Sequence, residues 1–116
     1  VDLIVSEATK LAVSDYAYRE LARVRVKGKS LPVAIYTPLC RTEELSVELE
    51  EELALHRKAI SFYRAQQWDM AERGFGELRR RSETRALYEL YVNRVKYFSS
   101  QPPPADWDGV FDHKTK

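Results

Sequence analysis

Two lysines flank the first glycine of the chain, in Val26-Lys27-Gly28-Lys29. A lysine at a strand end beside a glycine turn can present a compact positive charge to a phosphate. Lys27 and Lys29 are therefore candidate phosphate contacts. The same residues also suit a solvated hairpin end, where with Arg23 and Arg25 they keep one sheet face soluble. Other chemistry-bearing residues carry plainer readings. His56 follows Glu52 by four residues, but one His and one Glu do not make a metal site, and a helix-surface pair is expected. Asp106, Asp108, Asp112 and His113 lack calcium-loop spacing and read as capping or solvated groups. Arg79-Arg80-Arg81 ends a helical run, where cations suit the helix dipole. No metal-ligating set and no catalytic residue is assigned in this chain.

Whatever positions these groups must be small. The chain has 116 residues with 44% hydrophobic and 32% charged residues, the balance of a folded domain rather than a disordered one. A formal net charge of +1 argues against a protein built to grip nucleic acid. Cys40 is the single cysteine, which fits a reducing compartment and excludes an internal disulfide. No apolar run approaches the length of about 18–20 residues that a membrane span needs. The chain starts Val1-Asp2-Leu3, without Met and inside a strand-like run, so further chain is expected upstream.

Leu3-Ile4-Val5 reads as a short buried strand, and Ser6 as the cap of a short helix with Glu7 in its first turn. Tyr16 to Lys27 alternates with period two: Tyr18, Ala22, Val24 and Val26 on one face, Arg19, Leu21, Arg23, Arg25 and Lys27 on the other. Gly28-Lys29-Ser30 is a turn, and Leu31 to Tyr36 a return strand, with Pro32 suiting an edge. Thr37 to Arg41 reads as a connector. Three helices follow. The first spans about Glu43 to Ala65, with Leu45, Leu49, Leu53, His56, Ile60 and Tyr63 near one face. The second spans Trp68 to Arg81, with Ala71, Phe75 and Leu78 inside. The third spans Thr84 to Phe98, with Leu87, Leu90, Tyr91, Arg94, Val95 and Phe98 inside, and Ser82 or Thr84 as its cap. Pro102-Pro103-Pro104 ends the helical region, and Trp107 and Phe111 should bring the tail back onto it.

The predicted class is α+β: a short strand, a helix and an antiparallel β-hairpin, then three α-helices. The expected divisions are 1–38, 39–100 and 101–116. Residues 3–36, LIVSEATKLAVSDYAYRELARVRVKGKSLPVAIY, resemble the closing segment of the class III adenylate/guanylate cyclase catalytic domain. That segment has a strand ending in VSEAT, a short helix, a strand of the form RELxRVRVKGK and a return strand PVxIY. The C-terminal ADWDGVFDHKTK resembles the tail of bacterial cyclases with a helical extension. Leu55, Ala59, Phe62, Ala71, Phe75 and Leu78 match the packing positions of one tetratricopeptide repeat, with Glu83 where the repeat's usual Pro would stand. One repeat needs other surfaces to bury its face.

The resemblance implies an enzyme that turns ATP or GTP into a cyclic nucleotide and pyrophosphate for intracellular signalling. It implies two divalent metal ions, Mg or Mn, a homodimer, and a catalytic domain at the cytoplasmic side, with membrane anchoring in relatives through upstream segments. The family's metal Asp residues, Asn and Arg lie upstream of the VSEAT strand. Lys27 alone matches a family site, the lysine on the terminal phosphate. The isolated chain is therefore expected to be inactive, and the choice between ATP and GTP is not written in it. The contrasting expectation is a small helical interaction or regulatory module.

Overall fold

Ser6 stops one element and starts the next. In the computed structural model, which describes residues 3–25, 31–82 and 84–111, Val5–Ser6 forms β1 and Glu7–Ala12 forms α1. The Thr9 N–H donates to Ser6 Oγ at 3.3 Å, the expected cap, and Lys10 in the last turn complements the dipole. Strands β2 (Tyr16–Arg25) and β3 (Pro32–Arg41) pair antiparallel, and β1 pairs with β3, giving the order β1-β3-β2.

The sheet corrects five details of the sequence reading. β3 runs through Thr37–Arg41, so the expected connector is strand. Two register shifts, skipping Leu39 on β3 and Leu21 on β2, break the expected alternation. Tyr18 pairs with Pro38 and Ala22 with Ile35, which puts Tyr18 and Ala22 on opposite faces. Arg19, expected among the solvent-facing residues, pairs with Thr37 on the face of Ala22 and Val24, and both Arg19 and Thr37 are buried. Pro32 lies on the central strand, at its first residue. β1 reaches only Ile35 and Tyr36, so no partner on that side asks Pro32 for a donor. Finally, Leu3 and Ile4 are exposed rather than part of a buried strand.

A short 3₁₀ turn, Thr42–Glu44, replaces the first expected turn of the next helix; Leu45 follows it in extended conformation. The helices are α2 (Val47–Arg64), α3 (Trp68–Arg81) and α4 (Arg85–Ser100). α2 ends in a Schellman arrangement. Gln66 takes φ 62°, its N–H donates to the Tyr63 carbonyl at 3.1 Å, and the Gln67 N–H donates to that of Phe62 at 2.9 Å. A glycine usually fills that position. Here the Gln66 side chain donates to the Pro104 carbonyl at 2.8 Å, which helps to offset the left-handed backbone.

Two compact units result. The described residues through Ser46 join residues 109–111 in one, where Val110 bridges Arg23 of β2; Val47–Asp108 is the other, so Phe111, expected on the helices, falls in the sheet unit. The helical unit holds nearly all the buried apolar residues, Leu53, Ala59, Ile60 and Tyr63 on α2 and Ala71, Phe75 and Leu78 on α3. On α4 the inward stripe is Tyr88, Tyr91, Val92, Val95 and Phe98. Leu90, expected inside, is 42% exposed, and Tyr88 takes its place. The reason is ring packing: Phe75 stacks on Tyr91 at 4.7 Å and on Tyr88 at 6.3 Å, which fixes the rotation of α4. The protein is α+β.

Candidate functional site

The hairpin proposed for phosphate contact is positioned by the long β2–β3 ladder, whose last described pair is Arg25 with Pro32. Lys27 and Lys29 lie outside the described residues, as do Glu83, Asp112 and His113. α1 lies toward the face of Tyr18 and Tyr36. Lys10 Nζ sits 4.9 Å from the Tyr36 ring, Tyr18 and Tyr36 meet edge to face at 6.5 Å, and the Tyr18 hydroxyl donates to the Val13 carbonyl at 2.7 Å. Asp15 and Arg41 pair at 3.2 Å, and the Thr42 N–H donates to the Asp15 carbonyl, closing the other end of the hairpin.

The sheet unit leaves its large apolar side chains outside. Leu3, Ile4, Leu11 and Leu31 are 64%, 57%, 67% and 74% exposed, and α1 buries no residue. Each such side chain forgoes roughly 1.5–3 kcal/mol of burial. Exposed side chains of this size are suited to cover by other protein.

His56 belongs to the core of the helical unit, which corrects the surface pairing with Glu52. Its Nδ1 lies 2.9 Å from the Tyr88 hydroxyl and its ring meets Tyr88 edge to face. Glu52 instead accepts from the Ser82 hydroxyl at 2.7 Å. Ser82 Oγ in turn accepts the Thr84 N–H at 3.0 Å, so Ser82 rather than Thr84 satisfies the start of α4. The three arginines that end α3 are each paired: Arg79 with Glu89 at 2.9 Å, Arg80 with Glu77, and Arg81 with Glu51 at 3.7 Å. Asp106 is exposed and Asp108 half-buried, and Cys40 is a half-buried strand residue opposite Ala17. Among the described residues no group of three or more His, Cys, Asp or Glu gathers as a metal site.

Tyr63 is the hub of the helical unit. Its ring lies 5.1–5.8 Å from those of Tyr91, Trp107 and Trp68, and Trp107 also meets Phe98 at 4.9 Å. Burial pushes the Tyr63 hydroxyl up to about 12, with Arg94 and Arg64 acting in the opposite direction. Trp107 thus packs against the helices, held by its own N–H to the Pro104 carbonyl at 3.1 Å.

The feature that sequence reasoning passed over is a groove along the outer seam of α2 and α3, lined by Leu55, Phe62 and Met70 with Lys58, Arg73 and Glu77. The repeat pattern makes Leu55 and Phe62 packing positions. The signal for the groove was that they fall off the main buried stripe of α2. No protein family, curated protein or solved structure matches the chain. No helix among the described residues is long and apolar enough to cross a membrane.

Proposed function

We propose that residues 3–36 close the catalytic domain of a class III nucleotide cyclase, which converts ATP or GTP to the cyclic nucleotide and pyrophosphate at the cytoplasmic side. The observation that supports it most is the exposure of the large apolar side chains Leu3, Ile4, Leu11 and Leu31 on a strand–helix–hairpin unit. A sheet segment of this kind is what remains when one edge of a larger α+β domain is viewed apart from the chain that covers it. The strand, short helix and two antiparallel strands are also the succession of elements that the resemblance names.

In that reaction the ribose 3′-oxygen attacks the α-phosphorus as its proton leaves, and the bond to the β-phosphate oxygen breaks. Negative charge grows on the leaving pyrophosphate. The role proposed for Lys27 is to meet that charge at the terminal phosphate, with Lys29 secondary. Such a contact raises the chemical rate because it is stronger in the transition state than in the ground state. The two divalent metal ions that the resemblance implies have no fitting donor set among the described residues, and no step is assigned to them. A homodimer of catalytic domains, and ATP or GTP as the ligand, follow from the same reading.

Activity in a protein carrying the upstream catalytic residues provides the test. Lys27→Ala should lower kcat/KM by about tenfold to a thousandfold, the loss of roughly 1.4–4 kcal/mol of transition-state contact. Lys27→Arg should recover part of it, because the guanidinium fork is larger and differently shaped. The 116-residue chain by itself should give no cyclic nucleotide with Mg or Mn. Turnover by that chain, or a folded Lys27→Ala enzyme at the parental rate, would refute the proposal. The second reading, a helical interaction module, is favoured by the groove on α2 and α3.

A further inference from the structure

The α2–α3 hairpin has two sides. α4 packs into one of them through Tyr88, Tyr91 and Val95. The other carries the groove, with a volume of about 210 Å³. Its floor is the crossing of Ala59 with Gly74, where a Cβ placed on Gly74 would lie 2.8 Å from that of Ala59. Leu55 and Phe62 wall it from α2 and Met70 from α3, and one cation comes from each helix, Lys58 and Arg73.

Those two cations differ from their neighbours. Arg79, Arg80 and Arg81 all have carboxylate partners, and Glu77, the groove's own acid, is held by Arg80. Among the described residues neither Lys58 nor Arg73 has one. An apolar groove flanked by unpaired cations fits a helix that carries apolar side chains and carboxylates along one stripe.

α2 is itself such a helix. It begins with Val47, which is 65% exposed, and with Glu48 and Glu50, which have no cation partner among the described residues. Along the stripe that reaches the groove, positions 47, 51, 54, 55, 58 and 62 follow helical spacing. Their order is complementary to itself when reversed: Val47 answers Phe62, Glu51 answers Lys58, and Ala54 answers Leu55. An antiparallel copy about a two-fold axis would set Val47 against the partner's Phe62, and Glu51, whose ion pair with Arg81 of its own chain is long at 3.7 Å, against the partner's Lys58. Glu48, on the groove side of the helix, would then reach the level of the partner's Arg73. Acids first and bases last is also what the dipole of one helix favours. The dipole does not account for an open apolar groove or for its two unpaired cations.

We propose that this groove is the docking surface for a second copy of the chain, with the two α2 helices antiparallel across a two-fold axis. The interface is isologous, so each pair occurs twice and the assembly closes as a dimer. It belongs to the helical unit and does not rest on the cyclase reading.

Sedimentation velocity of the whole 116-residue chain, with circular dichroism to confirm folding, tests it. The chain should move from 13.5 kDa toward twice that mass as concentration rises to about 1 mM, the regime of weak association. Lys58→Glu and Glu51→Lys, both at exposed positions, should each raise the dissociation constant about tenfold or more by setting like charges together twice. The double variant Lys58→Glu/Glu51→Lys restores both pairs and should dimerise again. A chain that stays monomeric throughout leaves the groove to another occupant, such as an acidic helix of a different protein, and overturns the proposal. A dimer indifferent to both single substitutions, or one not recovered in the double variant, overturns it as well.

Discussion

In the helical unit Phe75, Leu78 and Tyr88 have no exposed surface, whereas in the sheet unit Leu3, Leu11 and Leu31 are mostly in water. Both units bury polar residues, Arg19 and Thr37 in the sheet unit and His56 and Ser82 in the helical unit, while the charges that end α3 stay at the surface in ion pairs. The two regions have similar local order, and the sheet unit has a well-made cap on α1 and a ladder of nine pairs between β2 and β3. They differ in whether that order closes a core. Three helices can enclose their own apolar stripes because each presents one to the others. A three-stranded sheet with one six-residue helix has two faces and too little chain to cover both. The helical unit should therefore carry stability that core substitutions remove, and the sheet unit should be insensitive at the same kind of residue.

The largest test of that contrast is Phe75→Ala. It removes a ring stacked at 4.7 Å on Tyr91 and should cost about 3–5 kcal/mol, enough to unfold much of a small domain. Leu11→Ser in α1 should change stability by no more than about 0.5 kcal/mol. Thermal melts followed by circular dichroism separate the two. Equal effects would mean that the units share one core.

A second test uses pH. Tyr63 keeps its proton in the folded unit until about pH 12, while an unfolded tyrosine ionises near 10.0. Between those values the unfolded state binds fewer protons, so stability falls as pH rises through that window. The loss approaches about 2–3 kcal/mol above it. Urea unfolding at pH of about 9 and about 11.5 should show this slope in the parent and a smaller one in Tyr63→Phe. The same slope in both chains would place the Tyr63 hydroxyl in water.

The smallest effect separates two glycines of α3. At Gly76 an added Cβ meets nothing within 4 Å, so Gly76→Ala should stabilise by about 0.5–1 kcal/mol through helix propensity. At Gly74 the same methyl would crowd Ala59 at 2.8 Å, and the strain of overpacking should outweigh that gain by about 1 kcal/mol. Melting shifts of opposite sign are expected. Shifts of the same sign would show that α2 and α3 pack less closely than described.

Local signals carried much of this fold. Ser6 before Glu7, the period-two run from Tyr16 and the helical spacing of Ala71, Phe75 and Leu78 each specify an element through neighbours within a few residues. They specified the α+β class and the bounds of α3. What they could not specify was decided by partners distant in sequence. The skipped residues Leu21 and Leu39 depend on the pairing of two strands, and that shift carried Arg19 to the face of Ala22. The rotation of α4 depends on where Phe75 offers a ring, and the burial of His56 on the Tyr88 hydroxyl that α4 then brings to it. The groove emerged in the same way, since Lys58 and Arg73 become neighbours only when Ala59 and Gly74 let α2 and α3 approach. Sequence alone determined most of which segments coil or extend, though not Thr37–Arg41 or the start of α2, because that choice is made largely over one or two turns of chain. Tertiary structure decided which face of each segment is inside, because burial is set by the surface that arrives to cover it.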